Sequence, residues 1–322
     1  MKLKIAVSAQ ADFRPYGELM KSKGYDITYI DSIEKTEEET IRNLQGFNTV
    51  IAFGEPFTEK VFAALAPTLK LVCRFGLGYD LVDIHAAARH GVCVTNTAGM
   101  MAGGVAETAL LLMLECGRRF AKFDAEMQAG QWTRGYIGSQ LEGKTVGLIG
   151  FGSIARRLAR YLIGFHCRVL SYDVAYDEKA LRDLNVSKAT LDEIAAQSDY
   201  VSIHCPLNPA TRHIVDAQFL GKMKPSAYVV NTSRGPTLDQ DALIDALDRD
   251  VVAGAGLDVY DGEPLSPTSA LRGRHNVTLT PHLASLTFES SFECAEDIMS
   301  TFESFQGGAI PDHCLNRDYT KF

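Results

Sequence analysis

The chain has little of what would take it out of the class of ordinary globular proteins. Of its 322 residues one is tryptophan and eleven are proline, and none of the seven cysteines stands in a C-x-x-C pair. Scattered thiols without ligand spacing exclude a zinc ribbon or a disulfide framework, so reduced thiols and no metal site are expected; Cys73, Cys93 and Cys205 lie in or beside strand-like segments. No apolar run approaches a membrane span, residues 109–114 being the longest candidate. The first apolar stretch stops at Val7 without a signal-peptide pattern, so a cytoplasmic location and no membrane partner are expected. Positive charge is in deficit: a net charge of −8 argues against a nucleic-acid partner held by electrostatics. Repeats and low-complexity tracts are missing. What remains, 46% hydrophobic and 22% charged, has the length of two domains with a core each.

What is there is alternation. Strands are expected over 4–8, 26–30, 49–53, 71–75 and 93–95, with helices over 13–23, 36–44, 58–66 and 84–89; Gly24 and Pro67 act as stops. A helix through 105–114, apolar nearly all round, is expected to be buried between domains or subunits. Residues 120–142, which hold Trp132, read as a helix and an extended arm that suits a dimer contact. Strands follow over 146–149, 168–172, 200–204, 227–231, 253–258 and 277–280, and helices over 191–196, 218–222, 240–249 and 291–306. Such alternation predicts an α/β protein of parallel sheets covered on both faces, with ligands beyond the carboxyl ends of the strands.

The stretch from Val146 to Asp173 carries the strongest motif. An apolar strand runs into Gly150-Phe151-Gly152-Ser153-Ile154-Ala155, then an amphipathic helix with Ile154, Leu158, Tyr161 and Leu162 on one face, then a second strand ending on Asp173. This is the order a dinucleotide fingerprint requires. Gly150 permits the tight turn, Gly152 lets the backbone approach a pyrophosphate, and Ala155 lets helix and strand pack closely. The helix amides and dipole favour the phosphate charge. Asp173 suits the two hydroxyls of an adenosine ribose and would repel a 2′-phosphate, and no Arg or Lys follows in Val174-Ala175-Tyr176. NAD is therefore expected rather than NADP. Gly76-Leu77-Gly78, at another strand end, suits a turn with exposed amides that binds an anion.

Arg234, Glu263 and His282 also fall beyond strand ends. Beside a dinucleotide site they fit one reaction. Hydride transfer to a ketone leaves an alkoxide that needs a proton, which an imidazolium can give near neutral pH. A carboxylate bonded to the imidazole orients it, and a guanidinium grips a substrate carboxylate with two bonds.

With these residues in view the chain resembles the D-isomer-specific 2-hydroxyacid dehydrogenases, the family of D-lactate, D-glycerate (hydroxypyruvate/glyoxylate) and D-3-phosphoglycerate dehydrogenases. The resemblance rests on Arg74-Phe-Gly-Leu-Gly-Tyr-Asp80, Val105-Ala-Glu107, residues 143–152, Asn231-Thr-Ser-Arg-Gly235, Gly256-Leu-Asp-Val-Tyr260 with Glu263-Pro264, and Thr280-Pro-His-Leu-Ala284. It covers essentially the whole chain. It implies a doubly wound Rossmann NAD domain, residues 102–287, inserted in a flavodoxin-like substrate domain of residues 1–101 and 288–322, with a cleft that closes over substrate. It implies His282 as acid/base, Glu263 as its carboxylate partner, Arg234 as substrate clamp, and the Leu77 and Gly78 amides on the same substrate carboxylate. Cofactor contacts are implied for Ser153, Ile154, Asp173, Cys205, Thr232, Asp258 and Ala284, beside Gly150 and Gly152. The assembly implied is a homodimer.

Leu81, Ala98, Met100 and Met101 depart from the family's commoner pattern without removing a catalytic group. The loop Phe53-Gly54-Glu55-Pro56 lacks the Arg or Ser that phosphoglycerate enzymes often carry there, and Glu55 is expected to make the pocket poor for a phosphorylated substrate. No appended regulatory domain is expected, since the chain ends soon after the last helix. The expectation is an NAD-dependent enzyme reducing a small 2-keto acid, glyoxylate or hydroxypyruvate before bulkier acids. A phosphoglycerate dehydrogenase and a non-enzymatic NAD(H) sensor of the same fold stay open. Glu263 in place of Gln disfavours a formate dehydrogenase.

Overall fold

The computed structural model describes residues 2–8, 13–31, 36–66 and 68–321; Pro67, the expected helix stop, lies outside them. The chain divides into two compact units, Met1–Met101 with Leu286–Phe322, and Ala102–Ser285.

The first unit begins β1 (Lys4–Ser8), α1 (Arg14–Ser22), β2 (Asp26–Ile30), α2 (Glu37–Leu44), β3 (Thr49–Ala52), α3 (Glu59–Leu65), β4 (Leu71–Arg74), α4 (Ile84–Arg89) and β5 (Cys93–Asn96). All strands pair in parallel in the order β2-β1-β3-β4-β5, the flavodoxin-like order. Every residue of β3 and β5 is buried, because helices cover both faces of a parallel sheet. Local signals start the helices: Thr36 and Glu39 form a capping box on α2, and Asp83 accepts from the amides of His85 and Ala86 on α4.

The second unit runs α5 (Ala102–Arg118), α6 (Phe120–Gln128), β6 (Thr145–Ile149), α7 (Ser153–Ile163), β7 (Arg168–Tyr172), α8 (Glu178–Asp183), β8 (Val186–Lys188), α9 (Leu191–Gln197), β9 (Tyr200–Ile203), α10 (Ala217–Gly221), β10 (Tyr228–Asn231), α11 (Gln240–Asp248), β11 (Gly254–Leu257) and β12 (Val277–Leu279). Its seven strands, all parallel, take the order β12-β11-β10-β9-β6-β7-β8. The order reverses between β6 and β9, and a crevice opens at such a switch point. The chain then returns through α12 (Phe288–Gln306) to the first unit, where Cys294, Ala295, Ile298 and Phe302 join the cluster of Leu3, Ile5 and Val7.

Three sequence expectations are corrected. The helix of 105–114 is longer, running over Ala102–Arg118. Ala109, Leu112, Met113 and Cys116 face the sheet of their own unit, while Leu111 is 62% exposed. The pair α8 and β8 went unread, since a six-residue helix and a three-residue edge strand with Ser187 and Lys188 exposed show no period. Strand ends came out a residue too long: Phe53, Phe75, His204, Asp258 and Thr280 lie just past the paired ladders.

Candidate active site

The glycine turn forms as its sequence requires. Gly150 has φ 99°, and a Cβ there would meet the carbonyl carbon of His204 at 2.8 Å and the amide of Cys205 at 2.9 Å. Only glycine fits both the conformation and the approach of β6 to β9. A Cβ on Gly152 would meet nothing within 4 Å among the described residues, which leave open space there. No side chain among the described residues caps α7, which starts at Ser153 and Ile154, so its first amides are available to an anion. Ala155 is fully buried, with Leu158, Ala159 and Leu162 on the same face. At the end of β7 Asp173 leans over the turn: Oδ2 accepts from the Phe151 amide at 2.5 Å and Oδ1 from the Ala175 amide at 3.0 Å. Each oxygen keeps a lone pair for a further donor.

Beyond β9 and β10 lie buried polar atoms that lack a partner among the described residues: Thr232 Oγ1 and both ring nitrogens of His204. Burial pushes His204 down to about 4, so the ring is neutral near pH 7. Orphaned polar atoms beside an open glycine turn fit a polar ligand running across the strand ends, as NAD would. Gly150, Gly152, Ser153, Ile154, Asp173, Cys205 and Thr232 would hold it. Cys205 would contribute surface rather than reactivity, since burial pushes its thiol up to about 11. The His204 orphan was missed in sequence; its signal is a histidine one residue past a strand beside the switch point.

The three candidate catalytic residues converge. His282 Nδ1 lies 2.6 Å from Glu263 Oε2, and Glu263 Oε1 accepts from the Tyr260 amide at 3.0 Å. Burial raises the Glu263 carboxyl, but His282, the Tyr260 amide and Arg234 together outweigh it and hold it below its ordinary value. His282 has φ 52°, a conformation rare outside glycine. Asp258, fully buried at the end of β11, accounts for it. Its carboxylate accepts from Thr280 Oγ1 at 2.7 Å and from the amides of Leu283 and Ala284 at 2.9 and 3.0 Å, while its carbonyl accepts from the His282 amide at 2.8 Å. Asp258 and Ala284, implied as cofactor contacts, are thus bonded to each other and shape the histidine loop.

Arg234 follows β10. Its carbonyl accepts from Asn231 Nδ2 at 3.0 Å and Thr237 Oγ1 at 2.7 Å, and Asn231 Oδ1 accepts from the Ser233 amide and hydroxyl at 3.0 and 2.8 Å. Asn231 and Thr237 are fully buried, so the loop that carries the guanidinium is fixed from below. Gly235 sets the distance to the Glu263 loop: a Cβ there would lie 1.9 Å from the carbonyl carbon of Tyr260. In sequence Asn231 and Gly235 stand out only as parts of a motif; the contacts that give them these tasks come from the fold.

In the first unit Gly76-Leu77-Gly78 is held from β5. Asn96 Nδ2 donates to the Leu77 carbonyl at 2.8 Å, and Thr97 Oγ1 accepts from the Gly76 amide at 2.9 Å. The amides of Leu77 and Gly78 make no hydrogen bond among the described residues. Glu55 is 2% exposed, with Oε2 accepting from the Phe53 amide at 2.6 Å.

The family described as "D-isomer specific 2-hydroxyacid dehydrogenase, NAD binding domain" matches residues 110–284. A glyoxylate reductase of Korarchaeum cryptofilum is 36% identical over 272 residues, 83% of this chain and 82% of the relative. The chain belongs to this family. It is an NAD-dependent oxidoreductase that acts on the CH–OH group of a D-2-hydroxy acid. Among other members, D-3-phosphoglycerate dehydrogenase 2 of Arabidopsis thaliana is 36% identical over 94% of this chain and 47% of its own. A solved structure of a glyoxylate reductase from Paecilomyes thermophila superposes with a TM-score of 0.85 at 27% identity, over 98% of this chain and 99% of that one. No helix among the described residues is long and apolar enough to cross a membrane.

Proposed function

We propose that this dehydrogenase reduces glyoxylate or hydroxypyruvate to the corresponding hydroxy acid, with His282 as acid/base. The observation that carries the catalytic reading is the 2.6 Å bond between His282 and Glu263 in a loop organised by Asp258. NAD(H) supplies or takes the hydride when bound. His282 Nε2, opposite the nitrogen that Glu263 engages, gives the proton to the carbonyl oxygen and takes it back in the reverse direction. Glu263 fixes the ring and stabilises its charged form. Arg234 and the amides of Leu77 and Gly78 grip the substrate carboxylate. On this reading residues 1–101 and 288–322 form the substrate domain and 102–287 the NAD domain. The protein works in the cytoplasm as a homodimer joined through the arm after α6.

Glyoxylate reductases among the relatives support the substrate class. The phosphoglycerate relative favours a second reading, against which stands Glu55, a carboxylate in the loop after β3 that disfavours a substrate phosphate. The test is NADH oxidation by the purified protein over glyoxylate, hydroxypyruvate, pyruvate, 2-oxoglutarate and phosphohydroxypyruvate. Turnover of glyoxylate or hydroxypyruvate is expected to exceed the rest, and to fall roughly 10²–10⁴-fold in His282→Ala. Preference for the phosphorylated acid would overturn the substrate assignment. Full activity in the variant would overturn the role of His282.

A further inference from the structure

Two thiols meet at the sheet edge of the first unit. Cys93 opens β5, the last strand of that sheet, and is fully buried. The segment after α12 lies antiparallel beside β5: Cys314 bridges to Thr95, the Leu315 amide donates to the Val94 carbonyl at 2.8 Å, and the Asn316 side chain spans the Val94 amide and the Val92 carbonyl at 2.9 and 2.8 Å. Strand alternation puts Cys93 and Thr95 on one face, so Cys314 meets Cys93 diagonally, with the sulfurs 3.7 Å apart. The pair is asymmetric, since Cys314 is partly exposed.

The charges around it sharpen the asymmetry. The Cys93 thiol, the Asn316 backbone and Arg317 favour the Cys314 thiolate against burial and Asp318, and bring it down to about 7. Cys314, burial and Cys73 push Cys93 up, with the Tyr319 hydroxyl opposing. Burial pushes Cys73, Cys116, Cys167, Cys205 and Cys294 all up. One thiol is thus an accessible nucleophile and its neighbour a buried resolving thiol.

We propose that Cys93 and Cys314 are a dithiol that peroxides oxidise to an intramolecular disulfide. The Cys314 thiolate attacks one peroxide oxygen and the O–O bond breaks, giving a sulfenic acid and a hydroxide that takes up a proton as water. The Cys93 sulfur then attacks the Cys314 sulfur; the S–O bond breaks and the hydroxyl leaves as a second water with the Cys93 proton. Two thiols lose two electrons and two protons, and one peroxide is reduced to two waters. Closing 3.7 Å to an S–S bond of about 2.05 Å requires an approach of roughly 1.7 Å, which falls on the segment after α12. That segment also touches the substrate-side loop: the Asn96 amide donates to the His313 carbonyl at 3.4 Å, and the Asn96 side chain holds the Leu77 carbonyl. Oxidation therefore changes KM for the keto acid more than kcat. This consequence rests on the carboxylate role proposed for Leu77 and Gly78; the disulfide does not.

The test uses the full chain, freed of reductant, with and without hydrogen peroxide, followed by alkylation and peptide mapping. A Cys93–Cys314 cross-linked peptide is expected, reversed by dithiothreitol and absent in Cys314→Ser, whose position is partly exposed and safe for folding. Cys314 should alkylate faster than Cys167, with a pH midpoint that rises in Cys93→Ala. Sulfinic acid at Cys314 without a cross-link, or alkylation no faster than at Cys167, would overturn the proposal. A cross-link with unchanged KM would overturn only the link to substrate binding, and Cys314→Ser should keep its KM under peroxide.

Discussion

Glu263 shows what one carboxylate does when a histidine, an arginine and a backbone amide surround it. Its pKa is lowered in the folded chain from an ordinary 4.5. A carboxylate depressed in this way adds stability that is complete above the unfolded value and is lost as pH falls through 4.5 toward the folded one. Glu263→Gln should thus lower stability at pH 7 by about 1 kcal/mol, a half-exposed pair being discounted for solvent screening. The difference should shrink as unfolding is followed by denaturant to pH 4 and below. Turnover should fall roughly 10–10²-fold, because the imidazole keeps a partner but not a charged one. A stability difference constant across this pH range would show that the carboxylate charge contributes nothing.

At the scale of elements the site depends on how closely the loop after β10 approaches the loop after β11. Gly235 permits that approach, since the position of its missing Cβ lies 1.9 Å from both the carbon and the oxygen of the Tyr260 carbonyl. Gly235→Ala should force the Arg234 and Glu263 loops apart, cost about 3 kcal/mol and lower kcat/KM more than tenfold. NADH binding, followed by fluorescence, should weaken less than kcat/KM falls, because Thr232 shares the displaced loop but the glycine turn lies at the other side of β9. Loss of cofactor binding together with activity would mean instead that the sheet itself is disrupted. The glycine turn was legible in sequence because strand, turn, helix and acid are consecutive there. The histidine site was legible only as scattered residues: Asp258 and His282 come from different strand ends, and Asn231 supports Arg234 from beneath.

At the scale of the molecule the arm after α6 calls for a partner. α6 buries none of its residues, and Phe120, Met127, Trp132 and Ile137 are exposed, Ile137 by 93%. Apolar groups gathered on one segment mark an interaction surface. Sedimentation should find a dimer, and the double variant Trp132→Ala with Ile137→Asp should yield monomers with unchanged far-UV circular dichroism. A monomeric wild type would remove the dimer from the proposal.

The sequence by itself determined the alternation of strands and helices, the two parallel sheets, the dinucleotide turn and the identity of its acid, because each is written in neighbouring residues whose periodicity and backbone freedom act locally. It could not show which face of α5 packs on the sheet, that Asp258 bends the histidine loop, that the His204 ring has no hydrogen-bond partner among the described residues, or that Cys93 and Cys314 meet. Those depend on which strand ends lie side by side, and strand order is decided by packing between segments far apart in the chain.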